Sequence, residues 1–125
     1  MIQDQGVLLE LAERCEKAEG PDRALDYDIA HSVTRAHLET GKAPAYTASI
    51  DAALTLVPEG WDWSAQTSCL KGLSRASCDL TQLAPFKPED WTVRTARATT
   101  PALALCAAAL RARAATILQE QSLHE

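Results

Sequence analysis

With 125 residues, the chain has the length of one domain and can bury a hydrophobic core of its own. Hydrophobic residues make up 46% of it, which excludes the composition of a disordered protein. Its formal net charge is −5, the opposite of the basic surface that nucleic-acid phosphates require, so we expect no direct contact with nucleic acid. Residues 1–40 carry nine acidic and four basic side chains, whereas the remaining residues carry eight of each. The acidic excess therefore belongs to the first part of the chain, where it forms either a solvated face or a surface for a basic partner.

The chain shows no targeting or metal-binding signature. No apolar run approaches the roughly 20 residues that span a bilayer, and the first residues lack the pattern of a signal peptide, so we expect a cytoplasmic protein without membrane contact. The four cysteines form no C-x-x-C pair, and we expect reduced, structural thiols: Cys15, Cys69, Cys78 and Cys106. His31 and His37 are six residues apart and fall on different faces of a helix, while His124 lies near the end of the sequence. We therefore expect no metal and no cofactor.

Two amphipathic helices are predicted at the beginning of the chain. The first covers residues 4–18 and ends before Gly20 and Pro21, which together stop a helix. Asp22 can cap the second helix, which we place at residues 23–39.

The middle of the chain changes from helical to strand periodicity. A third helical segment begins after Thr47 or Ser49 and ends before Pro58, with its buried face formed by Ile50, Ala53, Leu54 and Val57. A turn at residues 59–60 follows. Three strands are then predicted from residues that alternate in character, namely Trp61 and Trp63 in the first, Ala76, Cys78 and Leu80 in the second, and Trp91, Val93 and Thr95 in the third. The connections pass through a turn near residues 71–72 and a proline-containing loop at 84–88.

The last helix is the element around which we expect the domain to pack. Thr100 is a good N-cap and Pro101 suits the first helical position. One apolar stripe follows at helical spacing, formed by Leu103, Cys106, Ala107, Leu110, Ala114 and Ile117. Leu105 points nearly opposite, and small residues fill the space between, so the helix must be covered on more than one side. We place its end near residue 121 and expect residues 122–125 to fray.

Segregated helices and three sequential strands predict an α+β fold. We expect a single domain over residues 1–125, in which a three-stranded antiparallel meander sheet lies between the N-terminal helices and one long C-terminal helix.

Three phrases of the sequence resemble the phage ABA sandwich domain family of small bacteriophage and prophage proteins. They are GPDRALD at residues 20–26, YTASIDAALTLVPEGW at residues 46–61 and TPALALCAAALRARAA at residues 100–115. The resemblance implies three layers in the order helix, sheet, helix, and a phage or prophage origin. It implies no activity.

The candidate binding residues lie in three groups. Trp61 and Trp63 either anchor a partner or cover the inner face of the sheet. Tyr46 stands with Thr47, Ser49 and Asp51 at a helix start, which either holds an anion or is simply capped. An acidic cluster surrounds the second helix start, where it either meets a partner or serves capping and solvation: Glu19, Asp22, Asp26 and Asp28.

Four arginines near the end of the chain form the remaining candidate site: Arg94, Arg97, Arg111 and Arg113. They could bind a phosphate or another anion. Alternatively, Arg111 and Arg113 could lie along the edge of the core or pair with acids of the N-terminal helices. We find no sequence signature of catalysis and no catalytic residue.

The leading interpretation is a non-enzymatic phage or prophage accessory protein that binds a host or phage protein, most simply as an inhibitor of a host anti-phage defence. The alternatives are a structural or assembly protein of the virion, and a small nucleotide- or anion-binding protein or enzyme. An uncovered alanine-lined side of the last helix would favour a homodimer.

Overall fold

The computed structural model describes residues 5–34, 43–67, 76–82 and 92–123. Within these residues the helices are α1 (Gln5–Lys17), α2 (Arg23–Thr34), α3 (Ile50–Leu54) and α4 (Pro101–Leu123). The strands are β1 (Trp61–Thr67), β2 (Ala76–Gln82) and β3 (Thr92–Ala98). The order of helices and strands is the one that the sequence predicts. The predicted continuation of α2 to residue 39, the turn at 71–72 and the loop at 84–88 lie outside the described residues.

The helix starts are capped as predicted. Asp22 accepts a hydrogen bond from the backbone N–H of Leu25 through Oδ1, at 3.1 Å, at the start of α2. The hydroxyls of Ser49 and Thr100 do the same at the starts of α3 and α4, each from the N–H three residues on, at 3.2 Å. The far end of α4 differs from the prediction, because residues 122 and 123 are helical rather than frayed.

The buried face of α3 also differs from the prediction. Ile50 is 41% exposed, whereas Leu56, which was not on the predicted stripe, is 1% exposed. The helix has only five residues and ends at Leu54, with Thr55 as its C-cap, so its 3.6-residue period does not continue. The turn that follows brings Leu56 into the core.

The three strands form an antiparallel sheet in the order β1-β2-β3, entered through Gly60, which has a positive φ of 86°. The buried residues of its inner face occupy alternating positions, as the period of two predicts: Trp61, Ala76, Cys78, Leu80, Gln82, Ala96 and Ala98. In β3 the buried inner residues are the two alanines, and Arg94, opposite Leu80, lies on the same face. Val93, at 51% exposure, and Thr95 face outward.

Helix α4 is the middle layer of the molecule. Every residue from 102 to 110 is buried, because α1 and α3 pack on one side of the helix and the sheet on the other. The α+β class, the meander and the enclosed helix are confirmed. The layer order corrects the predicted one, since α4 rather than the sheet lies between the other layers. The reason is chemical: α4 is apolar all round, whereas the outer sheet face carries exposed polar residues such as Asp62, Ser64 and Asp79.

Candidate functional site

An ion pair between Glu16 and Arg111 links α1, β3 and α4. Arg111 donates hydrogen bonds to both carboxylate oxygens of Glu16, at 2.5 and 2.9 Å. The side chain of Glu16 is 26% exposed and that of Arg111 is 23% exposed. The hydrogen bond to Glu16 raises the pKa of Arg111. Of the alternatives for Arg111, the structure shows the one in which it pairs with an acid of the N-terminal helices.

The same pair binds the backbone of β3. Glu16 accepts a hydrogen bond from the N–H of Arg97 at 3.1 Å, and Arg111 donates one to the carbonyl of Thr95 at 3.1 Å. These two groups belong to the side of β3 that faces away from β2. The Glu16–Arg111 pair thus supplies the donor and the acceptor that a neighbouring strand would otherwise provide.

A cleft of about 570 Å³ opens beside this pair, between the end of α1 and β3. It is lined by Glu13, Glu16, Lys17, Ala18, Glu19, Arg97 and Thr99. The hydroxyl of Thr99 donates to the carbonyl of Ala18 at 3.0 Å and joins the two walls. Acidic and basic side chains share the lining, so the cleft has no strongly positive surface for a phosphate. Its outward-facing carboxylates, Glu13 and Glu19, are exposed.

The four candidate arginines do not converge on one pocket. Arg94 donates to the carbonyl of its neighbour Val93 at 3.1 Å. Arg113 leaves α4 in a different direction from Arg111 and donates to the carbonyl of Leu56 at 2.6 Å, where burial lowers the pKa of its guanidinium. Only Arg97 and Arg111 come together, around Glu16.

Asp22 and Asp26 of the acidic cluster and Thr47 of the Tyr46 group form one internal network. Asp26 is fully buried and accepts hydrogen bonds from the N–H and the hydroxyl of Thr47, both at 2.8 Å. Arg23 pairs with the other oxygen of Asp26 at 2.9 Å and donates to the carbonyl of Ala43 at 2.8 Å. The N–H of Asp22 donates to the Thr47 hydroxyl at 2.8 Å. This network fastens residues 43–49 to α2, which is a structural role.

The other members of these groups divide between core and surface. Tyr46 is 3% exposed, and burial raises the pKa of its phenol. Asp28 lies at the surface and pairs with Arg14 at 2.8 Å, with side chains 44% and 43% exposed. Of these predicted binding residues, Asp22 and Asp28 reach solvent, whereas Asp26 and Tyr46 belong to the core.

The two tryptophans share the inner face of β1, as predicted, because they pair with the inner residues Gln82 and Leu80 of β2. Their environments differ. Trp61 is 8% exposed and belongs to the core, whereas Trp63 is 42% exposed. Helix α4 lies mainly over β2 and β3, so the inner face of β1 is only partly covered at Trp63.

Three of the four cysteines carry free, buried thiols, namely Cys15, Cys78 and Cys106, while Cys69 lies outside the described residues. Burial raises the pKa of Cys78 to about 11. A hydrogen bond with Cys15, together with burial, raises the pKa of Cys106, whose Sγ also donates to the carbonyl of Tyr46 at 3.1 Å. The raised pKa values of Cys78 and Cys106 suppress their nucleophilic thiolates, and we assign both a structural role. The ranges that the structure covers contain no group of three or more acids, histidines and cysteines placed to hold a metal ion.

Fold and site together define an α+β protein in which the polar side chains of the interior serve packing and capping. The sequence matches no known family model, no curated protein and no solved structure. None of the helices, as far as the structure describes them, has the length and apolar character needed to cross a bilayer.

Sequence reasoning missed Thr47 as the centre of the network and Glu16 as the partner of Arg111. Both contacts join residues far apart in the chain, separated by 21 and 95 positions. Local spacing carries no signal for such contacts. Only the acidic excess of residues 1–40 indicated that an arginine of the last helix would find a carboxylate there.

Proposed function

We propose that this is a non-enzymatic phage or prophage accessory protein that binds a host protein in the bacterial cytoplasm and inhibits it. The phage assignment rests on the sequence resemblance to the phage ABA sandwich domain family. Binding rather than catalysis is favoured by one observation above all. The polar side chains that could perform chemistry, Asp26, Thr47 and Arg111, are already engaged with one another or with the backbone of this chain.

The surface that supports this proposal best is the exposed acidic side of α1. Glu10 and Glu13 project from the helix to solvent, and Glu19 follows just after its end. We call these three residues the acidic ridge. Two partly exposed apolar residues, Val7 at 39% and Leu9 at 41%, lie on the same helix. A combination of apolar and acidic side chains suits a basic protein surface, including a groove that otherwise holds nucleic acid.

Glu10 and Glu13 of the ridge are exposed, so we expect their substitution to leave the fold intact. A tagged chain is incubated with lysate of the bacterial host, and the proteins that it retains are compared with those retained by the variant Glu10→Lys/Glu13→Lys. We expect the wild-type chain to recover a specific protein with a basic surface, and the charge-reversed variant to lose it. Recovery should also fall as salt rises, because exposed charges are screened.

Asp51→Lys is the matched control. Asp51 is an exposed acid in the first turn of α3, away from α1, and its reversal should leave recovery unchanged. Equal loss with Asp51→Lys would show a dependence on net charge alone and would contradict the role of the ridge. Failure to recover any specific protein, or detection of the chain as a component of purified virions, would contradict the proposed function itself.

A further inference from the structure

The two edges of the sheet are treated differently by the rest of the molecule. On β3, the Glu16–Arg111 pair occupies the outward-facing N–H of Arg97 and the outward-facing carbonyl of Thr95. Among the described strands, β1 is the opposite edge, and no other described strand pairs with its free side. An unpaired strand edge is a template for a further strand.

The direction of the backbone groups in β1 follows from those contacts on β3. In an antiparallel sheet, the N–H and carbonyl of one residue point to the same side, and successive residues alternate. Because Arg97 and Thr95 point away from β2, Ala96 points toward β2, where it faces Cys78. Cys78 then points toward β3, and its neighbour Asp79 points toward β1.

Asp79 faces Ser64 across the β1–β2 pair, so Ser64 points into the sheet. Trp63 and Ala65 therefore point their N–H and carbonyl groups outward, as do the two terminal residues Trp61 and Thr67. These four residues form the free edge. The edge has no Pro, Lys or Arg, the residues that commonly block strand addition, whereas β3 carries Arg94 and Arg97.

We propose that the free edge of β1 pairs with β1 of a second copy of this chain, antiparallel, about a two-fold axis that passes through Ser64. In this register Trp63 faces Ala65 of the second copy, and Trp61 faces Thr67. Every outward-pointing residue then meets an outward-pointing residue, so all their hydrogen-bonding groups are used. A register moved by two residues leaves some of them unpaired.

The side chains of β1 fit the same register. On the inner face, the partly exposed ring of Trp63 lies beside the small side chain of Ala65 of the second copy, so a large residue meets a small one. On the outer face, Asp62 meets Gln66 of the second copy, so no like charges are opposed. The strand is thus complementary to itself in size and in charge, which favours a second copy over an unrelated peptide.

The register can be tested by disulfide trapping. Two Ser64 residues on the axis form a non-hydrogen-bonded pair with Cα atoms about 4.5 Å apart, within the range of a disulfide. The variant Ser64→Cys is made with Cys69→Ser, so that the introduced thiol is the reactive one. Under mild oxidation we expect it to form a covalent dimer.

Asp62→Cys and Gln66→Cys are the matched controls in the same background. In the proposed dimer, each of these residues lies four positions, or about 13 Å along the strand, from the same residue of the second copy. Each variant alone should therefore cross-link at least about tenfold more slowly than Ser64→Cys. An equimolar mixture of the two variants should cross-link efficiently, because Asp62 faces Gln66 across the axis. This pattern is specific to the proposed register.

Sedimentation of the unmodified chain tests the dimer without cross-linking. A seven-residue edge buries less than the roughly 800 Å² per partner of a standard interface, so we expect a reversible dimer with a dissociation constant of about 10–100 µM. Ala65→Pro should weaken it at least about tenfold and leave the fold intact, because the N–H that it removes points away from β2 and proline is tolerated on edge strands.

A wild-type chain that stays monomeric at millimolar concentration would overturn the proposal. So would a dimer in which Ser64→Cys cross-links no faster than Asp62→Cys, since the interface would then lie elsewhere. If Ala65→Pro fails to fold, the pattern of the three cysteine variants decides the question alone.

Discussion

Removal of Glu16 should destabilise the protein more than removal of any exposed ion-pair partner. Glu16→Ala deletes the acceptor of two hydrogen bonds from Arg111 and of one from the N–H of Arg97. A hydrogen bond to a charged group contributes about 1.5–3 kcal/mol, and water replaces part of this at side chains that remain about one-quarter exposed. We therefore expect the free energy of unfolding to fall by about 2–3 kcal/mol.

Urea unfolding followed by circular dichroism measures this loss. The slope of the free energy against urea is about 1.5 kcal/mol per molar for a domain of this size, so the midpoint should fall by about 1.5 M. The matched control is Asp28→Ala, which breaks the Arg14–Asp28 pair, whose side chains are 43% and 44% exposed. It should cost less than about 1 kcal/mol.

A double-mutant cycle with Arg111→Met isolates the pair from the other contacts of Glu16. We expect a coupling free energy of about 1–2 kcal/mol, because each single variant leaves a partly buried group without its partner. A cost for Glu16→Ala equal to that of Asp28→Ala, or a coupling near zero, would refute the reasoning that this pair secures β3 to α1 and α4.

Three further predictions concern the core. Thr47→Val removes the hydroxyl that joins Asp22 to Asp26 and should lower the free energy of unfolding by about 2–3 kcal/mol in the same urea assay. The control Thr55→Val removes an exposed hydroxyl and should change the free energy of unfolding by less than about 0.5 kcal/mol. Ala108→Leu overfills the enclosed part of α4 and should lower the free energy of unfolding by at least about 2 kcal/mol. If it lowers that free energy no more than Ala115→Leu, at a half-buried position, the three-layer packing is contradicted. The pKa of Cys78 rises from 9.0 to about 11 in the folded chain, so with increasing pH its thiol ionises first in the unfolded chain. The free energy of unfolding is therefore unaffected by this thiol below pH 9 and falls toward pH 11 by up to about 1.4 kcal/mol per pH unit. Unfolding at pH 8 and pH 10.5 should show a smaller fall for Cys78→Ala than for the wild type, and equal falls would contradict the assignment.

The elements of the fold were predictable because their signals are local. Gly20 and Pro21 mark the end of α1, and the Asp22 cap marks the start of α2. The all-round apolar character of α4 predicted its enclosure, since such a helix is stable only between two layers. The strand faces followed from alternation wherever the inner residues were large.

The candidate site was predictable only in part, because its contacts join distant parts of the chain. Asp26 and Asp28 look alike in sequence, yet one is fully buried beside Thr47 and the other pairs with Arg14 at the surface. The two tryptophans differ for a similar reason, since the position of α4 over the sheet decides how much of each ring is covered. Pattern gives the face of a residue, whereas its exposure depends on packing between elements.

The ion pair on β3 also limits how large an assembly of this chain can grow. A sheet with two open margins adds copies without end, which is the geometry of a fibre. Here the margin beside Thr95 and Arg97 is already occupied from within the same molecule. In the proposed dimer, the N–H of Arg97 and the carbonyl of Thr95 are already engaged in each copy, so we expect growth by strand addition to stop at two copies. Loss of Glu16 would remove the acceptor of the Arg97 N–H, so we expect Glu16→Ala to weaken that stop as well as the fold.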